Sequence, residues 1–287
     1  MNAIFKYLKV MKLVESVNAL VGTVTVIGAG VIGGAIVKCL IKSRIADNVI
    51  ATRRDINALI PLADLGANIS DNNIVATKQA EIVFLCVKPN DLEKVLLEIK
   101  DELKGKLVIS TAAVIPIASL EKTVPEARFV RTMPNIAAMV GESFTAYSMG
   151  TTTVLEDKEV TENLLKTMGT CMEVEEKYMD AVTGLSGSGP AFIAIVIEAL
   201  TYAGLRVGLP RELCRVASAQ SVLGTAKLVM EQVCSPSEIA EMVTTPGGTT
   251  IEGIYQIEDG KLRTALMNAV QAATEKSSSI RSKWGDE

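Results

Sequence analysis

From Gly22 to about Lys177, short apolar runs alternate with stretches whose apolar residues recur at helical spacing. Residues 23–27, 48–52, 81–87, 106–110, 128–132 and 145–149 read as strands, with a further one near 171–174. Residues 31–43, 91–103 and 157–168 read as helices between them. Such alternation predicts an α/β fold with a Rossmann-like, doubly wound and largely parallel sheet. After Tyr178 the strand pattern stops, and helices are predicted over 189–204, 211–232, 237–243 and 250–279, broken at Gly208-Leu209-Pro210 and Ser235-Pro236. The change of period divides the chain into an extension (1–21), a dinucleotide-binding domain (22–177) and an all-helical domain (178–287).

The extension carries apolar residues at roughly helical spacing with Lys6, Lys9 and Lys12 interleaved, which fits a short peripheral amphipathic helix. Its apolar run is too broken to span a bilayer, no signal-like cleavage site follows, and no later segment reads as a membrane span. Composition then narrows the function classes. The chain has 287 residues, 48% of them hydrophobic, enough for substantial cores. With a net charge of -4 and no basic block, it offers no electrostatic case for nucleic acid. Cys39, Cys86, Cys171, Cys214 and Cys234 are scattered and never form CxxC, so they read as reduced, mostly buried thiols of a cytoplasmic protein with no metal role. The chain has 0 histidines, which removes imidazole acid/base catalysis and most zinc chemistry.

Chemistry first shows at Gly28-Ala29-Gly30-Val31-Ile32-Gly33, directly after an apolar strand and opening a helix. In that context the first glycine makes the tight turn, the second admits a pyrophosphate, and the third lets helix and strand pack closely. At the end of the next strand, where an NAD-specific site would place Asp or Glu on the ribose hydroxyls, stand Thr52-Arg53-Arg54. A hydroxyl and two guanidiniums suit a 2′-phosphate and favour NADPH, with NADH left open; ordinary solvated arginines are the alternative. Cys86-Val87-Lys88-Pro89 and Thr111-Ala112-Ala113 also follow apolar runs, which places them at strand carboxyl ends, where such sheets bind ligands. Lys88 there is either a ribose or nicotinamide contact or a solvated strand-end lysine.

The second chemical feature is Val243-Thr244-Thr245-Pro246-Gly247-Gly248-Thr249-Thr250. A Gly-Gly pair before a helix exposes backbone N–H groups and the positive end of a helix dipole, a device for holding a carboxylate. A tight turn with an N-cap uses the same residues, and the loop alone does not choose between them.

Together these residues resemble the Δ1-pyrroline-5-carboxylate reductase family over about Val24 to Ser279. The strongest likeness lies in Leu185-Ser186-Gly187-Ser188-Gly189-Pro190-Ala191-Phe192, in Ala219-Gln220 and in the Pro-Gly-Gly-Thr-Thr loop; Cys86 to Pro89 and Met133-Pro134-Asn135 after Arg131 also match. The resemblance implies reduction of a cyclic imine to L-proline by hydride transfer from NADPH or NADH. It also implies a helical domain that forms a homodimer, or a larger assembly of dimers, with helices of both subunits bounding each substrate site. Carried over by position, Ile27, Gly28, Ala29, Gly30, Val31, Ile32, Thr52, Asn73, Cys86, Val87, Lys88, Pro89, Thr111, Ala112 and Ala113 are implied cofactor contacts. Gly33 and Arg53 join them from the fingerprint and the strand end. Val243, Thr245, Gly247, Gly248, Thr249 and Thr250 are the implied carboxylate site, with the Thr250 hydroxyl, the one catalytic group, near the imine nitrogen.

Three stretches depart from the family pattern. Ile136-Ala137-Ala138 follows Asn135 without the usual proline, Val233 and Ser235 replace a Glu and a His, and Glu241 stands for an Asp. A reductase of another imine or of a β-hydroxyacid would carry a lysine on the first helix of its second domain, and residues 191–203 contain none. A non-catalytic NADP-binding protein would have no use for an intact Pro-Gly-Gly-Thr-Thr loop.

Overall fold

A computed structural model describes residues 21–282. Apart from Val21, the amphipathic stretch of the extension lies outside the described residues. By internal contacts the chain forms two compact units, one running to Gly187 and resuming at Lys276, the other Ser188–Glu275.

The first unit is built on eight strands: β1 Val21–Ile27, β2 Ala46–Thr52, β3 Asn68–Ser70, β4 Ile82–Leu85, β5 Leu107–Ser110, β6 Arg128–Met133, β7 Ser143–Met149 and β8 Gly169–Glu173. Their order across the sheet is β3-β2-β1-β4-β5-β6-β7-β8. The first six are mutually parallel. β7 then pairs antiparallel with β6 (Val130↔Met149) and parallel with β8. The order reverses between β1 and β4, which opens a crevice at their carboxyl ends.

Five helices of seven or more residues pack with this sheet: α1 Val31–Ser43, α2 Asn73–Gln79, α3 Pro89–Ile99, α4 Ile117–Thr123 and α5 Leu155–Lys166. Strand residues alternate between two cores, as a pleated sheet covered on both faces requires. Val24, Val26, Phe84, Ile109 and Val130 pack with Ile36, Leu40 and Leu164. Ile27, Val83, Leu85, Val108 and Phe129 pack with Leu92, Leu96, Ile99 and Leu120. Several buried polar groups are paired, although the Thr77 and Thr161 hydroxyls find no partner among the described residues. Thr25 Oγ1 donates to Ala76 O at 3.0 Å, and Tyr147 Oη donates to Glu162 Oε1 at 2.6 Å. Burial first, and the Glu162 carboxylate second, push the Tyr147 hydroxyl above its ordinary range.

A helical run then leaves the sheet. A turn at Met179–Val182 leads into a π-helical turn at Thr183–Gly187 and on into α6, Gly189–Arg206. The Gly-Pro pair at Gly189-Pro190 thus follows a widened helical turn, with Pro190 in the first turn of α6, where its missing N–H costs nothing. Asn135 Nδ2 donates to Ser186 O and to Ser186 Oγ, each at 3.2 Å. Among the described residues, Glu176–Arg206 is the one helical run long and apolar enough to cross a membrane by length and composition.

The second unit contains α6, α7 Arg211–Met230, α8 Pro236–Met242, α9 Thr249–Asp259 and most of α10 Leu262–Arg281. Ser235 caps α8: its Oγ accepts from Glu238 N at 3.3 Å, and Glu238 Oε2 accepts from Ser235 N at 2.7 Å. The single helix expected over 250–279 is two helices. Gly260 ends the first and Lys261 takes a left-handed φ of 56°, a turn that the continuous apolar spacing masks. The end of α10 returns to the first unit, where buried Asp180 accepts from Ser277 Oγ at 2.7 Å and Ser278 Oγ at 3.1 Å.

Candidate functional site

β1 ends at Ile27, and Gly28 turns the chain with φ +84°. A Cβ there would lie 2.8 Å from Val87 Cγ1 and 3.0 Å from the Cys86 carbonyl carbon, so the position excludes a side chain on conformation and on space. At Gly33 a Cβ would meet Gly28 O at 2.6 Å, the close helix-to-turn packing expected of the third glycine. Gly30 differs: its nearest neighbour, Gly28 O, is 4.0 Å from a built Cβ, so open space lies above the backbone at the start of α1. The turn is fastened to β2, with Gly28 N and Ala29 N donating to Thr52 O at 3.1 and 2.9 Å.

Around this turn lies a crevice of about 450 Å³. It gathers Ile27, Gly28, Gly30, Thr52, Arg53, Asn73, Cys86, Val87 and Lys88 from four places in the chain. Ala29, Val31, Ile32, Gly33, Pro89, Thr111, Ala112 and Ala113 are not among its lining residues. Ala29 is buried beneath the turn, Val31 and Ile32 lie on the first turn of α1, Pro89 opens α3, and Thr111 to Ala113 follow β5. The lining also holds Arg54, Asp55, Asp91, Lys94, Val95 and Glu98. Asp91, Lys94, Val95 and Glu98 recur at helical spacing, on one face of α3.

Thr52 is 1% exposed, and its hydroxyl donates to Asn73 Oδ1 at 2.7 Å. Asn73 Nδ2 faces Glu98 at 3.3 and 3.4 Å. Arg54 Nη2 lies 3.3 Å from Asp91 Oδ2 in an exposed ion pair, whereas no described carboxylate pairs with Arg53. Burial pushes the Cys86 thiol up to about 12, outweighing the hydrogen bond with Thr111 that lowers it, so it stays protonated and non-nucleophilic at neutral pH. Arg131 is 3% exposed and pairs with Glu176 at 2.9 Å, which makes this residue of the Arg131 to Asn135 stretch a structural one.

The hollow at the carboxyl ends of β7 and β8, about 530 Å³, is larger but chemically spent. Glu121 there accepts from Thr151, Glu176 from Ile117 N and Arg131, while Glu173 and Glu175 pair with Lys158 and Lys177.

In the second unit, Val243 ends α8, Thr244 N donates to Glu241 O at 3.1 Å, and Gly247 takes φ +67°. Gly248 is the N-cap of α9, and its own N–H is already given to Thr245 O at 3.0 Å. The open donors are therefore those of the first helical turn, Thr249, Thr250 and Ile251, which have no carbonyl four residues back within the helix. Thr245 closes the turn from below; a Cβ at Gly248 would meet its hydroxyl first.

Fold and crevice together define a dinucleotide-binding protein of the Rossmann type. The family model described as pyrroline-5-carboxylate reductase dimerisation matches residues 176–280, and one described as NADP oxidoreductase coenzyme F420-dependent matches residues 23–114. A pyrroline-5-carboxylate reductase of Methanosarcina acetivorans is 42% identical over 262 residues, 90% of this chain and 97% of the relative. A solved pyrroline-5-carboxylate reductase from Coxiella burnetii is 32% identical with a TM-score of 0.83, covering 90% of this chain and 97% of the other. The Plasmodium falciparum pyrroline carboxylate reductase with NADP bound is 29% identical with a TM-score of 0.81, covering 90% and 98%. The chain belongs to the pyrroline-5-carboxylate reductase family.

Proposed function

We propose that this chain reduces Δ1-pyrroline-5-carboxylate to L-proline with NADPH, and less readily NADH, in the last step of proline biosynthesis. The observation that carries the cofactor half is the cradle at Gly28 to Gly33: a left-handed glycine, a glycine with open space above it, and the N-terminus of α1 fit a pyrophosphate. When bound, the nicotinamide supplies a hydride, and the chain's residues do the rest. Gly28, Ala29, Gly30, Val31, Ile32 and Gly33 hold the pyrophosphate; Thr52 and Asn73 hold the adenosine ribose, and Arg53 its 2′-phosphate. Cys86 to Pro89 and Thr111 to Ala113 line the nicotinamide end.

In the second unit the Thr249, Thr250 and Ile251 N–H groups hold the substrate carboxylate. Val243, Thr245, Gly247 and Gly248 shape that loop. The Thr250 hydroxyl steadies the imine nitrogen, with solvent as the proton source in a chain of 0 histidines. Residues 22–177 serve the cofactor and 178–287 the substrate and dimerisation.

We read the working form as a homodimer or an assembly of dimers. The apolar surface of Glu176–Arg206 is then met by a second copy and not by lipid, since this run begins with Glu176 and Asp180 tied into the α/β unit. Its five unpaired thiols suit the cytoplasm. The test is loss of NADPH on adding Δ1-pyrroline-5-carboxylate to purified chain, beside open-chain keto acids and hydroxy acids with the oxidised cofactor. Turnover confined to the cyclic imine supports the assignment; turnover only with the others overturns it.

A further inference from the structure

At the end of β2 the crevice holds a carboxylate that does not come from β2. Glu98 lies near the end of α3, and its two oxygens stand 3.4 and 3.3 Å from Asn73 Nδ2. A carboxylate only accepts, so it fixes which way the Asn73 amide faces: Nδ2 toward Glu98, Oδ1 toward Thr52. Thr52 must then donate its single proton to Asn73 Oδ1, at 2.7 Å. What Thr52 Oγ1 has left for a ligand is lone pairs. A lone pair suits a ribose 2′-hydroxyl, which can donate, and not a 2′-phosphate, which only accepts. The charged residues lining the crevice are four basic (Arg53, Arg54, Lys88, Lys94) and three acidic (Asp55, Asp91, Glu98), so the margin favouring a phosphate dianion is narrow.

We propose that Glu98 is a specificity-determining residue that restrains the preference for NADPH over NADH, by its charge and, through Asn73, by holding Thr52 as an acceptor. The proposal rests on the reading that the crevice holds NAD(P)H with its adenosine ribose at the end of β2. Glu98→Gln keeps an oxygen for Asn73 Nδ2 and removes the charge; Glu98→Ala removes both. Calorimetric titration of the full chain with NADPH and with NADH separates the two effects. In Glu98→Gln the Kd for NADPH should fall about fivefold at low ionic strength, with that for NADH held within about twofold and the gain shrinking in high salt. In Glu98→Ala, NADH binding should weaken about threefold or more as Asn73 turns and Thr52 loses its fixed orientation. Equal shifts for both cofactors in Glu98→Gln, a gain indifferent to salt, or unchanged NADH binding in Glu98→Ala would overturn the proposal. Failure of the unaltered chain to bind either cofactor would overturn the crevice reading itself, and this one with it.

Discussion

Arg53 stands at the end of β2 with its side chain in solvent, and its backbone is pinned by Arg53 N donating to Ser70 O at 3.2 Å. Arg54 already faces Asp91, so Arg53 is the guanidinium available to a 2′-phosphate. A hydrogen bond between charged groups contributes about 1.5–3 kcal/mol, and solvent screening at so exposed a side chain brings this to the low end, roughly tenfold in affinity. Arg53→Ala should therefore raise the KM for NADPH about tenfold and leave that for NADH nearly unchanged. Equal losses for the two cofactors in steady-state assays would move Arg53 to the pyrophosphate or to the fold. Thr250, half-buried in the first turn of α9, is tested by a different signature. Thr250→Ala should lower kcat, by up to about 3 kcal/mol if its bond strengthens in the transition state, with cofactor binding intact. Thr250→Ser should recover much of the loss. An alanine variant with full turnover would leave only the backbone N–H groups at work.

Two adjacent glycines of α1 show how one element is shaped by the turn before it. Ala at Gly33 would place Cβ 2.6 Å from Gly28 O, a backbone atom that moves only if the whole turn moves. Ala at Gly34 would meet nothing within 4 Å. Gly33→Ala should destabilise the chain by about 1–3 kcal/mol through overpacking, whereas Gly34→Ala should stabilise it by about 0.5–1 kcal/mol through helix propensity. Denaturant unfolding of the pair checks this; shifts of the same sign would mean that the turn yields.

The elements legible in the sequence are those whose apolar period is undisturbed: α1 spans Val31–Ser43 as expected, and seven β-strand expectations fall within a few residues of β1, β2 and β4 to β8. β3 escapes because Asn68–Ser70 is short, polar and at the sheet edge, and α2 because it is a seven-residue helix announced only by its Asn72 cap. The antiparallel β7 has the same sequence texture as its parallel neighbours, so direction could not be read from it. In the crevice, glycines and strand ends were legible because the chain must turn there. Glu98 was not, because its relevance depends on which face of α3 meets the end of β2.

At the scale of the whole molecule, the second unit lacks what would let it stand alone. Both apolar clusters of buried residues described above belong to the first unit. In Ser188–Glu275 the one buried hydrophobic residue is Cys214, while Ile193, Ile195, Leu200, Val216 and Leu223 are each at least 44% exposed. A helical unit with apolar residues around so much of its circumference and so little core is stabilised by covering that surface. The family model that spans residues 176–280 carries dimerisation in its description, which fits a second copy as the cover. The expected state of active enzyme at assay dilution is thus a dimer or a multiple of it. Ile195→Glu, a charge set where the side chain is 65% exposed in the single chain, should lower both the mass and the activity if a partner covers that position. Light scattering run with the assay decides the matter: a monomeric mass at full turnover would sink the dimer, and an Ile195→Glu chain that keeps its mass would move the interface elsewhere on the helices.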